Sequence, residues 1–238
     1  MPNLQGFPAS SPWLPGGRFP QGQGRCRVNG EYSIPNPSVR RRPIVTEYPG
    51  LREIPIRDEQ VFHGALIDVS HMQVTLPNGR TSLREIVHHP GGAAVVAIDT
   101  EGNVTLVRQH RIAPGLITLE IPAGKLNSPQ EDPMLAAARE LSEETGLVAE
   151  NLQWLTTMLP TPGYCTERIH LYLATGLTPS AAHPDPDEFV YAVKMPFARA
   201  LEMVERGELP DGKTALGLLL AYRRLGMDPS PRTNPSDM

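Results

Sequence analysis

Cysteines and long apolar runs are scarce in this 238-residue chain, and each shortage excludes a class of protein. The two cysteines, Cys26 and Cys165, lie far apart in no metal-ligand spacing, which excludes a disulfide framework and suits a reducing compartment. The longest apolar run, residues 216–222, is too short to cross a bilayer, and the N-terminus lacks the apolar core of a secretory signal. We therefore expect a cytoplasmic protein with no membrane partner.

A basic excess is also missing, since the net charge is −4 and the pI is about 6.0. Proteins that bind nucleic acid mainly through its phosphates carry a basic surface. We therefore expect a small-molecule ligand and no nucleic-acid partner. One basic run, residues 40–42, is either an anion-binding patch or the solvated end of a linker, and we favour the linker.

Proline is the residue in excess, and it is concentrated at the start of the chain. Eight of the 26 prolines precede Ile44, and six glycines share that stretch. Such a segment buries too little apolar surface to offset the entropy lost on ordering. We predict a flexible arm at residues 1–43, an N-terminal β-sheet subdomain at 44–89, the main domain at 90–227 and a flexible tail at 228–238.

Runs of β-branched and aromatic residues predict two groups of strands. In the first group, strands are predicted at 61–69, 72–76 and 81–88, with a hairpin turn at the Asn-Gly pair of residues 78–79. The second group follows a Pro-Gly-Gly break and is predicted at 93–98, 104–109, 118–121, 154–159, 169–174 and 189–195. Helices are predicted at 134–144, 197–205 and 214–225. This order predicts an α+β fold and not a doubly wound parallel sheet.

The first of these helices has clear signals at both ends. Asp132 is a favourable N-cap, and Pro133 suits the first helical position, where its missing N–H costs nothing. Gly146 lies where a helix stop belongs. The alanine-rich residues between them have high helix propensity. The helix therefore begins shortly after the strand that ends in Pro-Ala-Gly at residues 122–124.

Three glutamates fall on one side of this helix. At about 100° per residue, Glu140, Glu143 and Glu144 lie within an arc of roughly 100°. The opposite side is expected to pack and is occupied largely by Leu135, Ala138, Leu141, Ser142 and Thr145. Like charges at this spacing destabilise a helix, so Arg139 or a divalent cation has to neutralise them. The alternatives are a solvated acidic face and a metal site, and oxygen ligands favour magnesium or manganese over zinc.

The residues around the helix resemble the signature of the Nudix hydrolases, a glycine and a glutamate followed by Arg-Glu, Glu-Glu and Gly-apolar pairs. The matching residues are Gly124, Glu131, Arg139, Glu140, Glu143, Glu144, Gly146 and Leu147. The loop between the first two is one residue longer than in the signature, at a place where insertions are tolerated. Residues 106–124, 160–168 and 185–214 resemble the ADP-ribose pyrophosphatase branch of that family.

The resemblance implies a fold, a reaction and a metal. The fold would be a Nudix α/β/α sandwich with an N-terminal antiparallel β-sheet, in a homodimer that exchanges N-terminal strands. The reaction would be Mg²⁺-dependent hydrolysis of ADP-ribose to AMP and ribose 5-phosphate, with Mn²⁺ as a second usable cation. The alternatives are a pyrophosphatase that prefers another sugar nucleotide, such as ADP-glucose or GDP-mannose, and a non-catalytic ADP-ribose sensor.

The resemblance also assigns residues to roles. The metal ligands would be Glu140, Glu144, Glu143, the backbone carbonyl of Ala123 and, further out, Glu131, with Arg139 orienting the glutamates. The residues implied in catalysis are Glu188, Glu144, Glu143 and Glu167, of which Glu188 and Glu167 are the two candidates for the general base. Substrate contacts are implied for Arg111, Arg84, Phe62, Glu120 and Gly163. The residues alone leave a surface role open for both arginines and a core position open for Phe62.

Overall fold

The computed structural model describes residues 48–128, 130–181 and 189–226. The predicted arm and tail lie outside these residues, so the four-part division of the chain stays a prediction. None of the described helices has the length and apolarity needed to cross a membrane. The described strands are β1 (Ile54–His63), β2 (Asp68–Thr75), β3 (Thr81–His88), β4 (Gly92–Ile98), β5 (Asn103–Arg111), β6 (Leu116–Glu120), β7 (Ala123–Lys125), β8 (Leu147–Met158), β9 (Ile169–Pro179) and β10 (Tyr191–Pro196), and the α-helices are α1 (Pro133–Thr145), α2 (Phe197–Glu205) and α3 (Gly212–Arg224).

The first three strands form an antiparallel sheet in the order β1-β2-β3. The β2–β3 hairpin is closed by the Leu76 N–H, which donates to the Arg80 carbonyl at 2.7 Å, and Gly79 has the positive φ of 80° that the Asn-Gly pair predicts. The prediction of one strand over residues 61–69 is wrong. A turn separates β1 from β2, because the Gly64 N–H donates to the Ile67 carbonyl at 3.0 Å.

A second sheet of seven strands forms the body of the protein. Its main path is β10-β5-β4-β9-β8, with β6 paired to β5 and β7 paired to β4. The β4–β9 pair is parallel, and the other pairs are antiparallel. Every residue of β4 is buried. A strand that is buried throughout needs cover on both faces of its sheet.

Helices supply that cover through two apolar clusters. On one face, α1 packs through Met134, Ala137 and Leu141. On the other face, α2 and α3 pack through Phe197 and Leu218. The result is a helix–sheet–helix sandwich, which confirms the expected α+β class and the α/β/α architecture.

Helix α1 begins and ends where the sequence predicts, and Leu141 is buried as expected, but the rest of its buried side differs from the prediction. The Asp132 side chain accepts a hydrogen bond from the Met134 N–H at 2.9 Å, and Gly146 ends the helix with a left-handed φ of 65°. Leu135, expected to pack, is exposed, whereas Glu140 and Glu144 are buried. Alanines bring the helix close to the sheet, so the two carboxylates reach the backbone of the neighbouring strand.

The two sheets are joined where β3 ends. The Val87 N–H donates to the Tyr164 carbonyl at 2.7 Å, and the Val87 carbonyl accepts from the Thr166 N–H at 2.9 Å. The His89 N–H then donates to Thr166 Oγ1 at 3.0 Å. The loop at residues 160–168 is therefore held to the N-terminal sheet by backbone contacts.

Candidate active site

The second half of α1 lies against the strand end that contains Ala123 and Gly124. Glu140 and Glu144 are 6% and 7% exposed, and Glu144 Oε2 accepts a hydrogen bond from the Ala123 N–H at 3.0 Å. Glu140 fits because residue 124 is a glycine, since a Cβ there would lie 2.0 Å from Glu140 Oε1. The glycine of the motif therefore lets a carboxylate rest directly on the backbone.

Arg139 contacts three of the acidic residues of the motif. Its Nη1 donates to Glu140 Oε1 at 2.6 Å and to Glu143 Oε2 at 2.9 Å, and its Nε lies 3.6 Å from Glu131 Oε1. Burial lowers the pKa of Arg139, but Glu140 and Glu143 outweigh that effect and raise the pKa above its ordinary value. The guanidinium therefore stays charged and balances one of the carboxylates.

The four glutamates around Arg139 carry more negative charge than one arginine can balance. Burial of carboxylates is unfavourable unless further positive charge compensates them. Among the described residues, no three His, Cys, Asp or Glu side chains converge on a cation site by themselves. The glutamate side chains are nevertheless hard oxygen donors, which fit a magnesium-like cation that keeps several waters and takes few protein ligands.

A second charged cluster surrounds Glu120, which is 2% exposed. Arg111 donates to both carboxylate oxygens, from Nε at 2.9 Å and from Nη2 at 2.8 Å, and Thr118 Oγ1 donates at 2.6 Å. Lys213 Nζ donates to the same carboxylate. Burial raises the pKa of Glu120, but Arg111 and Lys213 outweigh it and lower the pKa from its ordinary 4.5 to about 2. Glu120 is therefore an anion at neutral pH.

Both clusters border one cavity of about 530 Å³. Its size is in the range of small-molecule sites. Seven of the residues assigned from the sequence line it, and they are Arg111, Ala123, Arg139, Glu140, Glu143, Glu144 and Glu167. Glu120 and Glu131 bond to its lining residues Arg111 and Arg139. The cavity thus combines an acidic cluster with basic side chains, an arrangement that can hold cations and a phosphate-bearing ligand together.

Besides Glu120, which reaches the cavity through Arg111, three predicted substrate contacts do not line it. Arg84 is paired with Glu53 through Nε at 3.0 Å and Nη2 at 2.5 Å. Phe62 lies on the exposed strand β1 with 53% of its surface accessible, and Gly163 lies in the loop next to β3. The candidate base Glu188 lies outside the described residues. The roles of these four residues stay predictions.

Sequence reasoning assigned no role to five polar residues that line the cavity, which are Lys213, Gln109, His89, Lys125 and Asn127. Gln109 Nε2 is buried without a hydrogen-bond partner among the described residues. His89 Nδ1 lies 3.6 Å from Glu167 Oε1. The Asp-Gly-Lys-Thr stretch at 211–214 was the available signal for Lys213, since Asp211 is an N-cap and places the next residues at the start of α3.

Two curated proteins are similar to this chain over most of their length. The ADP-ribose pyrophosphatase of Bacillus subtilis (strain 168) is 42% identical over 170 residues, which cover 71% of this chain and 91% of the relative. The methanol dehydrogenase activator of Bacillus methanolicus is 42% identical over 165 residues, which cover 68% of this chain and 89% of the relative.

A solved structure described as an ADP compounds hydrolase has the same fold, with a TM-score of 0.65 at 22% sequence identity over 74% of this chain and 95% of the other. The family model described as NUDIX domain matches residues 88–215, which are 128 of the 238 residues and include both charged clusters. The family match and the two relatives together confirm the resemblance carried by residues 124–147, and the chain belongs to the Nudix family of hydrolases.

Proposed function

We propose that this protein hydrolyses the pyrophosphate bond of ADP-ribose, giving AMP and ribose 5-phosphate with Mg²⁺ as the cation. The observation that carries the proposal is the burial of Glu140 and Glu144 against the Ala123–Gly124 backbone, in the cavity that Arg111 also lines. The relative named ADP-ribose pyrophosphatase supports the choice of substrate.

In this proposal Glu140, Glu143, Glu144 and the Ala123 carbonyl would hold the cation, with Glu131 as a further contact. Bound magnesium would polarise the phosphoryl oxygens and lower the pKa of the attacking water. Manganese, which also takes oxygen ligands, is expected to substitute.

The protein's own residues would position the reacting groups, which is most of what phosphoryl transfer requires. Arg139 fixes the glutamate carboxylates by its hydrogen bonds to Glu140 and Glu143. The Arg111 guanidinium, held by Glu120, would bind phosphate oxygens. Glu120 is therefore proposed to act through Arg111.

Two carboxylates are proposed as candidates for the general base. Glu188 belongs to an acidic stretch outside the described residues, and the family resemblance supports it. Glu167 lines the cavity beside His89. Comparing the pH–rate profiles of Glu188→Gln and Glu167→Gln separates them, because only loss of the base removes the acidic limb.

The proposed assembly is a homodimer in the cytoplasm. Strand β1 is exposed along its whole length and includes the exposed apolar residues Ile54, Ile56, Val61 and Phe62, and apolar side chains on an edge strand are normally covered. Phe62, Arg84 and Gly163 are proposed to contact a substrate bound at the dimer, since they do not line the cavity within one chain. The scarcity of cysteine supports the compartment.

The decisive experiment is release of AMP from ADP-ribose in magnesium, comparing the native protein with Glu144→Gln. Loss of one proposed metal ligand should lower kcat roughly a thousandfold or more, because the cation contributes several kcal/mol to the transition state. Glu205→Gln, an exposed glutamate on α2, is the matched control and should keep native activity. ADP-glucose and GDP-mannose are assayed alongside. Failure to cleave any of these substrates would point to a sensor that binds the ligand without hydrolysis.

A further inference from the structure

Lys213 is a buried lysine that borders the cavity. It is 8% exposed and is the second residue of α3, near the helix N-terminus. A lysine is rarely buried unless its charge is paired, and Lys213 has two partners. Nζ donates to the Glu120 carboxylate and, at 3.0 Å, to Asp211 Oδ2.

Three elements meet at the Glu120 carboxylate, with Arg111 from β5, Glu120 from β6 and Lys213 from α3. Arg111 uses Nε and Nη2 to bind Glu120. Its Nη1 makes no hydrogen bond to any part of the chain that the structure describes. The guanidinium is therefore held at one edge, while its remaining donors are available to a ligand in the cavity.

The other charges of this network determine how strongly Arg111 attracts an anionic ligand in the cavity. Glu120 alone would cancel Arg111, because the two form a bidentate pair. Lys213 supplies a second positive charge to the same carboxylate. Asp211 is engaged at the start of α3, where its Oδ2 accepts from the Thr214 N–H at 3.0 Å and its charge is also drawn to the helix N-terminus.

We propose that Lys213 is a positioning residue for the diphosphate of the substrate. It neutralises Glu120, so that Glu120 can hold the Arg111 guanidinium in place without cancelling the charge that Arg111 presents to the phosphates. The inference rests on the proposed function, because it presumes a diphosphate in this cavity.

A purely structural role for Lys213 would be to fasten α3 to β6. Another contact already does this, since the Ile121 N–H donates to Thr214 Oγ1 at 2.9 Å and Thr214 is fully buried. The two roles differ in one measurable respect. A fastening role is lost in every variant that lacks the Lys213–Glu120 contact, whereas the charge of Lys213 is no longer needed for charge balance once Glu120 is also neutral.

The first test measures binding of ADP-ribose by calorimetry in EDTA, where no turnover interferes. Lys213→Met keeps the length of the side chain and removes its charge. The Kd should rise about tenfold, the effect of weakening one charge-assisted hydrogen bond to a phosphate. In magnesium, KM should rise by a similar factor while kcat changes less than about threefold, because the proposed metal ligands are untouched.

The second test removes both charges together. In the double variant Lys213→Met/Glu120→Gln, Arg111 is no longer cancelled, so the Kd should return to within about threefold of the native value. Lys194→Met removes an exposed lysine that is paired with Asp99 and Glu101 on the outer strand β10, and it should leave the Kd unchanged. Thermal unfolding of each variant checks that it is folded, and Lys213→Gln replaces Lys213→Met if the latter is not.

An unchanged Kd in Lys213→Met, or a double variant that binds no better than the single one, would overturn the inference and leave the proposed function intact. A native protein that neither binds nor cleaves ADP-ribose would instead contradict the proposed function. The same titrations would then be made with inorganic pyrophosphate, which presents the diphosphate alone. Equal binding by the native protein and Lys213→Met would again overturn the role of Lys213.

Discussion

The two sheets of this protein are built from similar strand-forming residues but differ in how far they are covered. Every residue of β4 in the central sheet is buried, whereas every residue of β1 in the N-terminal sheet is exposed. Ile54, Ile56 and Phe62 on β1 are each more than half exposed. Among the described residues, helices cover both faces of the central sheet, whereas β1 stays exposed along its whole length.

Charged residues differ between the two regions in the same way. Glu120 is almost fully buried among Arg111 and Lys213, so its interactions lie in a medium where they are strong and where losing one partner is costly. The pair Arg57–Glu59 on β1 lies in solvent. Pairs of that kind contribute little to stability. The difference indicates that the folded core and the candidate site lie in the central sheet, with α1 and α3 packed against it.

The largest expected effect is a loss of stability in acid, caused by protonation of the buried Glu120. Its pKa is lowered from 4.5 to about 2, so its interactions stabilise the protein above pH 4.5 and are lost as the pH falls toward 2. The contribution is on the order of 3 kcal/mol. Urea unfolding at a series of pH values should show this loss in the native protein and not in Glu120→Gln. Glu59→Gln on β1 should follow the native curve, and a matching loss in Glu120→Gln would contradict the assignment.

The next largest effect is expected from a methyl group at the strand end. Gly124→Ala places a Cβ within 2.0 Å of the Glu140 carboxylate, which has to leave its buried position. We expect kcat on ADP-ribose to fall about a hundredfold, comparable to other displacements of positioned groups. Gly50→Ala, near β1, meets no atom within 4 Å and should be neutral. Full activity in Gly124→Ala would show that hydrolysis does not require the Glu140 carboxylate in its buried position.

A charge introduced on the exposed strand β1 should weaken dimerisation without changing the stability of the folded chain. Ile56→Lys introduces a lysine into the apolar surface of β1, a substitution that discourages pairing at a sheet edge. Sedimentation should show the dimer dissociating at concentrations roughly tenfold higher than for the native protein. Leu219→Lys, at an exposed apolar position on α3, is the control. A native protein that is monomeric at every concentration would contradict the proposed homodimer.

The smallest effect is expected at Phe62, whose ring is half exposed. If Phe62 stacks on the adenine, Phe62→Ala should raise KM for ADP-ribose about fivefold, which is within the range of one aromatic–base contact. The urea midpoint should not change, because little apolar surface is buried there. A lowered midpoint with a native KM would instead identify Phe62 as a packing residue.

Features with a local cause were predictable from the sequence, and features that depend on distant contacts were not. Asp132, Gly146 and the turn at Gly79 were correctly placed, because each acts through its own backbone or its immediate neighbours. Helix α2 was predicted with its observed bounds, Phe197–Glu205. The burial of Glu140 and Glu144 and the exposure of Leu135 were not predicted. Like charges close in sequence suggest a face in solvent, whereas Glu144 accepts a hydrogen bond from the Ala123 N–H, which lies in a strand distant in sequence.

Within the candidate site, the residues alone identify the acidic cluster, whereas Arg111 and Glu120 are predicted only through the family resemblance. The glutamates of that cluster and Arg139 lie within one helix and the loop before it, so their spacing identifies them. Lys213 and Glu120 are 93 residues apart, and neither has a local pattern that names the other as its partner. The isolated β-bridge between Val87 and Cys165 was also not predictable, because it depends on where β3 ends relative to a loop that is distant in sequence.

The parallel pairing of β4 with β9 has a consequence for the order in which the protein can assemble. The two strands are adjacent in the sheet, yet residues 99–168 separate them, and α1 lies within that interval. Closing so long a segment is entropically unfavourable and slow. A nascent chain that has not yet emerged past residue 169 lacks one of the strands on which α1 packs. The glutamates of α1 should therefore acquire their final geometry late in synthesis, after β9 has emerged.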